Sequence, residues 1–133
     1  MAHLVVAHCL DGKMIKGESL DVAPGKPECH IRTPSHEIVE VRIAHLKALY
    51  FVRSLDGNPE HQYAVTPKAG DPRLAGSRCV ELTFNDGERL VALSNRYPPL
   101  GAAFFVLPID PDGNTVRILV NRDSLISHSL IQM

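Results

Sequence analysis

Apolar and polar residues alternate in two stretches of the chain that lie 75 positions apart. The first is Val5-Val6-Ala7-His8-Cys9-Leu10, the second is Val80-Glu81-Leu82-Thr83-Phe84-Asn85, and each leads into Asp-Gly and a further apolar run. Alternation with a period of two is typical of a strand with one buried face, and Asp-Gly between two such runs favours a hairpin. The pattern therefore predicts two equivalent hairpins, with positive φ at Gly12 and Gly87.

The same offset relates later parts of the two halves, which predicts an internal duplication. Matching positions keep their parity through at least three strands, and a slip of one residue would turn each apolar side chain to the opposite face. The matched positions are Cys29 with Phe104, Ile31 with Val106, Val41-Arg42-Ile43 with Val116-Arg117-Ile118 and, after one inserted residue, Ala48-Leu49 with Ser124-Leu125. The core is expected to contain Val5, Ile43, Val80, Leu82, Phe84 and Ile118.

The chain divides into two β-rich units and a connecting segment. Residues 1–55 and 78–133 each hold five short strand-like runs, whereas residues 56–77 are rich in proline and glycine and lack sustained periodicity. Within the connection, residues 60–65 fit either a strand or a short helical turn. A sheet of five short strands must curl to protect its edges. The predicted fold is therefore all-β, with two tandem five-stranded barrels of SH3-like or Sm-like type related by internal duplication.

Two resemblances bear on this fold. The strand–Asp-Gly–strand opening, followed by an apolar strand and the run Lys47-Ala48-Leu49-Tyr50-Phe51-Val52, resembles the chain pattern of Sm and Hfq proteins. Further blocks resemble an uncharacterised bacterial family with LKAxFFVR, GNP, DGE and GFFLxPAD motifs, sometimes found alongside PilZ domains. The matching blocks are Leu46–Arg53, Gly57-Asn58-Pro59, Asp86-Gly87-Glu88 and Phe104–Pro108, and Asn114 with Val116-Arg117-Ile118 follows them. Ala103 and Ile109 depart from the last motif, and the resemblance implies no catalytic residues.

Composition narrows the classes of function. The formal charge is −1, the aromatic fraction is 5% and there is no Trp, whereas a large nucleic-acid footprint usually shows a basic excess. No segment approaches the roughly 18 apolar residues of a membrane span, and the N-terminus lacks a basic secretory start. Cys9, Cys29 and Cys79 form an odd set without C-x-x-C spacing. Reduced thiols in a cytoplasmic protein are therefore expected, with Cys9 as a small buried hydrophobe.

The residue types that carry most enzyme chemistry do not occur in the required patterns. The seven histidines lack metal-ligand spacing, and Cys29 and His30 would point to opposite faces of a strand. There is no G-x-S-x-G elbow and no phosphate-binding glycine loop, and Asp110 and Asp112 flank Pro111 as turn residues. We therefore expect no catalysis, no metal and no cofactor, and a metal-dependent hydrolase is the weakest alternative.

RNA binding is the alternative implied by the Sm-like resemblance. Lysines and arginines give the first unit a basic tilt, and Tyr50 and Phe51 offer stacking faces. Acidic residues are interleaved with these cations, however, and tracking of a phosphate backbone needs a contiguous basic groove. The residues also lack the R-x-x-x-R and D-x-S-x-x-G segments of a PilZ-type nucleotide site.

The function that the sequence favours is that of a non-catalytic protein-interaction or adaptor module, with a regulatory role as one form of it. Small barrels leave strand edges free, which predicts a protein partner or self-association through those edges. The candidate binding residues are Arg96 and Tyr97, which lie in the loop Asn95-Arg96-Tyr97-Pro98-Pro99-Leu100-Gly101, where the two halves differ. Arg and Tyr are enriched in binding hot spots. The competing interpretation is that Tyr97 caps the open end of the second barrel.

Overall fold

The computed structural model describes residues 2–57, 70–98 and 101–131 of the chain. Ten strands and three one-turn 3-10 helices account for its regular structure. The strands are β1 His3–Cys9, β2 Met14–Ser19, β3 Glu28–Arg32, β4 Ile38–Arg42, β5 Leu46–Val52, β6 Arg78–Phe84, β7 Arg89–Ser94, β8 Ala103–Pro108, β9 Thr115–Asn121 and β10 Leu125–Leu130. The 3-10 helices span Ile43–His45, Pro72–Ala75 and Arg122–Ser124. The all-β prediction is confirmed.

All ten strands belong to one open antiparallel sheet. Their order is β10-β6-β7-β8-β9-β5-β1-β2-β3-β4. The order within the first half, β5-β1-β2-β3-β4, matches that within the second, β10-β6-β7-β8-β9. The two halves meet where β5 pairs with β9. The closure of each half into a barrel stays a prediction, and residues 58–69 of the connection, with their expected strand or turn, lie outside the described residues.

The strand pairings repeat between the halves, but the offset changes partway along. Over the first three strands it is 75: Val5 pairs with Gly17 as Val80 pairs with Ala92. From the fourth strand onward the offset is 79, from Ile43–His45 to Arg122–Ser124. Thus the alignment of residues 41–43 with 116–118 is wrong, and so is the single insertion before the last strand. Four extra residues lie between β8 and β9, and this even number preserves the alternation on which the alignment relied.

The apolar faces of the strands form two main core clusters. The first contains Val5, Ile31 and Leu49, and the second contains Val80, Phe84 and Val106. All six residues expected in the core are buried, as predicted. The clusters interlock, because Leu119 of β9 packs in the first cluster and Ala48 of β5 in the second. Cys9 is partly buried against the first cluster.

The Asp-Gly turns adopt the expected geometry in both halves. Gly12 and Gly87 each have φ of 91°, where a Cβ is costly. Asp11 Oδ1 accepts a hydrogen bond from the Lys13 backbone N–H, and Asp86 Oδ1 accepts one from Glu88, both at 3.0 Å. The prediction of two equivalent hairpins is confirmed. No helix in the described part of the chain is long and apolar enough to cross a membrane.

Candidate functional site

The two ends of the sheet present backbone groups that have no strand beside them among the described residues. Strand β4 pairs only with β3, and β10 pairs only with β6. Two hydrogen bonds at the ends of β4 show which of its residues bond to β3. The Thr33 N–H donates to Glu37 O and the Ile43 N–H donates to Pro27 O, both at 2.9 Å, so the odd-numbered residues of β4 face β3. Since hydrogen-bonded pairs recur every second residue, the backbone groups of residues 38, 40 and 42 face outward.

The same reasoning applies to β10. The Ile131 N–H donates to Cys79 O at 2.9 Å, so the odd-numbered residues 127 and 129 bond to β6. The backbone groups of residues 128 and 130 therefore face outward, whereas Ile126 lies at a bulge in the pairing between Leu125 and Ser127. Among the described residues, the sheet thus offers two free strand edges, with three outward-facing residues on β4 and two on β10.

Large apolar side chains are exposed on these two edges. Ile38 on β4 is 64% exposed, and Ile126 and Leu130 on β10 are 65% and 41% exposed. Free edges are commonly protected by charge, and β4 carries Glu40 and Arg42. Strand β10 has the sequence Leu-Ile-Ser-His-Ser-Leu and carries neither an acidic residue nor Lys or Arg. Such an unprotected apolar edge is suited to pairing with another strand.

A hydrogen-bonded cluster lies beside β4. His30 Nδ1 is 2.7 Å from Asp21 Oδ2, while Asp21 Oδ1 accepts from the His30 backbone N–H at 2.9 Å and from Ser19 Oγ at 3.1 Å. These bonds, the backbone one foremost, lower the pKa of Asp21 to about 2, and the bond to Asp21 raises the pKa of His30. His30 Nε2 lies 3.8 Å from Glu40 Oε2 on the edge strand. The cluster therefore fixes side chains at the β4 edge.

An apolar groove runs next to this cluster. It has a volume of about 310 Å³, and its lining includes Leu20, His30, Arg32 and Ile38. Leu20 is 75% exposed, so the groove has an accessible apolar wall next to a free strand edge. Strand-adding partners use such pockets for their alternate side chains.

The junction between the halves shows how this fold joins two sheet edges. Strand β5 pairs with β9 at Leu49 with Leu119 and at Phe51 with Arg117. The Arg117 guanidinium lies over the Phe51 ring, 4.2 Å from its centroid. Lys47 Nζ reaches across to Asp86 at 2.8 Å and to Glu88 at 3.0 Å. Main-chain pairing, a cation over an aromatic ring and ion pairs thus combine at this edge-to-edge contact.

A second cavity opens at the junction. It has a volume of about 330 Å³, and its lining includes Tyr50, Leu90, Val91, Ile109 and Ile118. Burial, followed by the nearby carboxylates of Glu88 and Asp86, raises the pKa of Tyr50 to about 12. The phenol therefore stays protonated, and the walls around it are mainly apolar. This cavity is suited to packing.

Two of the three thiols, those of Cys29 and Cys79, are buried. Burial raises the pKa of the Cys29 thiol to about 11 and also raises the pKa of Cys79. The thiolate is the reactive form of cysteine, so these thiols are poor nucleophiles. Across residues 2–57, 70–98 and 101–131, no three His, Cys, Asp or Glu side chains are placed to hold a metal ion.

The structure places Arg96 and Tyr97 in different environments. Tyr97 is partly buried against the second core, and its hydroxyl lies 2.9 Å from His128 Nδ1 on β10. Arg96 is exposed, and its backbone is tied to Ser94 Oγ. The contacts of Tyr97 are those expected for a cap, and the binding role of the two residues stays a prediction. Pro99 and Leu100 of the same loop lie outside the described residues.

Sequence reasoning predicted free strand edges but did not identify their residues. Ile38, Ile126 and Leu130 occupy alternate positions that look like ordinary strand residues in the sequence. Residues 125–130 carry no formal charge, but neither do residues 97–109, so this feature does not single out the edge strand. Which strand ends the sheet depends on pairings between distant segments, and local patterns do not contain that information.

Comparison with known proteins assigns the chain to a family. A family model described as a family of unknown function, DUF6982, matches residues 1–132, so the chain belongs to that family. The search of the curated proteins and the search of the solved structures returned no match.

Proposed function

We propose that this DUF6982 member is a non-catalytic protein-interaction module that binds partner strands at the free edges of β4 and β10. In this proposal its scaffold is a pair of tandem small barrels, joined at β5 and β9. The observation that carries the proposal is the open sheet, whose two terminal strands both expose large apolar side chains. Protein partners that add a strand gain main-chain hydrogen bonds together with apolar burial.

The two edges differ in what they offer a partner. Strand β4 combines outward backbone groups with Glu40, Arg42 and the apolar groove beside Leu20. Strand β10 offers Ile126 and Leu130 around His128, whose ring is held by the Tyr97 hydroxyl. Backbone bonds supply affinity for any strand, so these side chains provide the specificity.

Several contacts favour binding over catalysis. Ser19 donates its hydroxyl proton to Asp21, but the pKa of that carboxyl group is lowered to about 2, which makes the carboxylate a weak base for activating a nucleophile. Cys29 and Cys79 are buried, and their raised pKa values disfavour the thiolate. RNA binding is not favoured either, because Lys47 and Arg32 are engaged by carboxylates and Phe51 is 3% exposed.

The experiment compares partner capture by the parent protein and by two edge variants. Proline at an outward-facing position removes a donor from the free edge and leaves the inner ladder bonded. We therefore expect Glu40→Pro or His128→Pro to lose partner proteins that the parent retains in quantitative affinity purification. Glu40→Gln, which changes the side chain but keeps the backbone N–H, is the matched control and should retain more of each partner than Glu40→Pro.

Each outcome of that comparison has a defined meaning, provided that the variants melt like the parent. Loss of capture in a proline variant together with retention in Glu40→Gln supports edge binding. Retention of every partner in both proline variants would show that the interaction surface lies elsewhere. If the parent instead binds a single-stranded RNA in a gel-shift assay, and this binding weakens as salt is added, the RNA-binding alternative would be favoured.

A further inference from the structure

The repeat within the chain identifies which partner fits the two edges. We propose, resting on the edge-binding function above, that the partner is a second copy of this chain, with β10 of one copy pairing with β4 of the next. The contact is antiparallel and head-to-tail. It reproduces between copies the pairing that β5 and β9 make within each copy.

The first step of the argument is the equivalence of the strands. Strand β5 is the last strand of the first half, and its counterpart in the second half is β10. Strand β9 is the fourth strand of the second half, and its counterpart in the first half is β4. The internal contact therefore joins a fifth strand to a fourth strand, and the two strands left free are another fifth strand and another fourth strand.

The second step is the register. Shifting the internal pairs by the offset of 79 predicts four pairs between copies. Phe51 with Arg117 becomes Leu130 with Ile38, and Leu49 with Leu119 becomes His128 with Glu40. Tyr50 with Ile118 becomes Ser129 with Val39, and Ala48 with Val120 becomes Ser127 with Val41.

The backbone polarity supports this register independently. The outward-facing groups on β4 include those of residues 38 and 40, and those on β10 belong to residues 128 and 130. The predicted register sets residue 38 opposite 130 and residue 40 opposite 128. Outward-facing residues therefore meet outward-facing residues at both of these pairs, as an antiparallel ladder requires.

The side chains complement one another in the same register. Leu130 meets Ile38, two apolar groups that are 41% and 64% exposed in the single chain. His128 and Glu40 meet as a polar pair between them, and the Tyr97 hydroxyl already holds His128 Nδ1. Ile126 lies across from the long side chain of Arg42. The central polar pair thus fixes the register, and the apolar side chains provide buried area.

A further pair of residues at the internal junction, Arg89 and Tyr50, has counterparts at the proposed contact between copies. Within the chain, Arg89 and Tyr50 line one cavity between the halves. The counterpart of Arg89 in the first half is Met14, which is 54% exposed. In the assembly, Met14 of one copy would approach β10 of its neighbour, near Ser129. Its exposure in the single chain is what a contact of this kind would relieve.

Pairing of like edges is the competing arrangement. Two β4 strands paired about Glu40 would place two carboxylates opposite each other, which is destabilising. Two β10 strands paired about His128 would place Ile126 opposite Leu130, and this arrangement would give a dimer that cannot grow. The head-to-tail contact instead leaves one free edge of each kind, so it grows beyond the dimer, into a ring where the rotation between copies closes and into an open filament where it does not.

The test measures mass and then complementation. Sedimentation velocity and light scattering on the parent should give masses above that of a dimer of the 14.6 kDa chain, and these masses should fall on dilution. Glu40→Pro, with only β10 intact, and His128→Pro, with only β4 intact, should each be monomeric. Mixed in equal amounts they should form a one-to-one heterodimer, because each supplies the edge that the other lacks.

A second pair of variants tests the same contact without proline, so that the test still holds if the proline variants misfold. Ile38→Lys and Leu130→Glu keep the backbone donors, and each alone should weaken assembly at least ten-fold. Their mixture should recover association, since the new charges meet at the predicted pair. Ile126→Glu alone should weaken assembly less, because the new carboxylate lies across from Arg42, and Ser35→Ala, away from both edges, should leave assembly unchanged.

Three results would overturn the inference: a parent that is monomeric throughout the dilution series, a Glu40→Pro variant that dimerises alone through β10, or mixed variants that stay monomeric. A monomeric parent whose edge variants still lose a different captured protein would leave the proposed function standing and exclude only self-pairing. An assembly that is unaffected by all edge variants would contradict both.

Discussion

Gly17 lies where β2 crosses closest to β3. A Cβ at this position would be 2.1 Å from the Arg32 carbonyl oxygen, which is backbone and has little freedom to move. Glycine inside a strand permits such a close backbone approach and thus lets the sheet bend. The second half has Ala92 at the equivalent position, fully buried, so the bend there tolerates a methyl group.

We therefore expect Gly17→Ala to lower the free energy of unfolding by about 1–3 kcal/mol or more, as overpacking does. The control is Gly25→Ala, where a Cβ meets nothing within 4 Å. Urea denaturation of the two variants measures the difference. Equal midpoints would mean that β2 and β3 are farther apart than the structure places them.

The Asp21–His30 pair predicts a pH dependence of stability. The folded pKa of Asp21 is about 2, below its ordinary 3.8, so its contribution is present above pH 3.8 and is lost as the pH falls toward 2. The folded pKa of His30 is raised above 6.5, so its contribution is present below pH 6.5 and is lost as the pH rises through the folded value.

Asp21→Asn, which keeps an acceptor but removes the charge, should therefore destabilise the protein most between about pH 4 and 6.5. Melting temperatures of parent and variant across the pH range give the difference curve. A difference that is constant with pH would show that the pair contributes through geometry alone. Glu37→Gln, which removes an exposed carboxylate outside the pair, controls for the general effect of charge.

At the scale of elements, the hairpins were predictable because their information is local. Alternation identified the buried faces, and Asp-Gly identified the turns at Gly12 and Gly87. The offset error arose because a Val-Arg-Ile triplet occurs in both halves, at residues 41–43 and 116–118, in strands of different length. Identity of sequence suggested one register, and the longer loop before β9 imposed another.

The connection between β5 and the second hairpin gives an element-scale prediction. Burial lowers the pKa of Lys47, but its bonds to Asp86 and Glu88 outweigh this effect and raise it. Lys47→Met keeps the side-chain stem over the Phe84 ring and removes the charge. We expect a loss of about 0.5–1 kcal/mol at low ionic strength that shrinks in high salt, because exposed partners are screened.

Denaturation of the parent and Lys47→Met in low and high salt checks this prediction. Lys13→Met, which removes a cation from the equivalent hairpin of the first half, serves as the control. A loss that is independent of salt would indicate that Lys47 acts through packing of its stem alone.

The Tyr97–His128 contact predicts how the loop acts on the edge strand. Tyr97→Phe keeps the ring packed on the second core and removes the hydroxyl that meets His128 Nδ1. Hydrogen exchange of β10 amides should therefore accelerate in Tyr97→Phe, with a melting temperature close to that of the parent. Arg96→Ala should leave exchange unchanged, and any partner lost in Arg96→Ala alone would support the binding role of this loop.

At the scale of the whole molecule, the sequence predicted two equivalent halves but not how they join. The join depends on β5 and β9, which are distant in sequence and carry no mark of their mutual pairing. Both are apolar on both faces, a pattern typical of strands inside a sheet. This pattern indicates that both strands are interior but not that they pair with each other, and the residues of the candidate edges follow only once that pairing is known.

The interlocked cores make the two halves one cooperative unit, and this gives the last prediction. Leu119 belongs to the second half of the chain, yet it packs in the first core beside Leu49, and it is 1% exposed. We expect Leu119→Ala to lose about 2–5 kcal/mol, as buried leucines do. Because Leu119 bridges the halves, both should still unfold together in one transition at a lower midpoint.

Separate probes of the two halves distinguish this outcome from independent folding. Hydrogen exchange resolved to β1 and to β6 should show the same increase in both strands for Leu119→Ala. Leu93→Ala, in the third cluster beside Cys79 and Ile109, is a buried control of the same size that does not touch the junction. If Leu119→Ala instead gave two transitions, with only one of them shifted, the β5–β9 contact would be a docking of two independent domains. The head-to-tail contact between copies would then be expected to be as weak as that internal one.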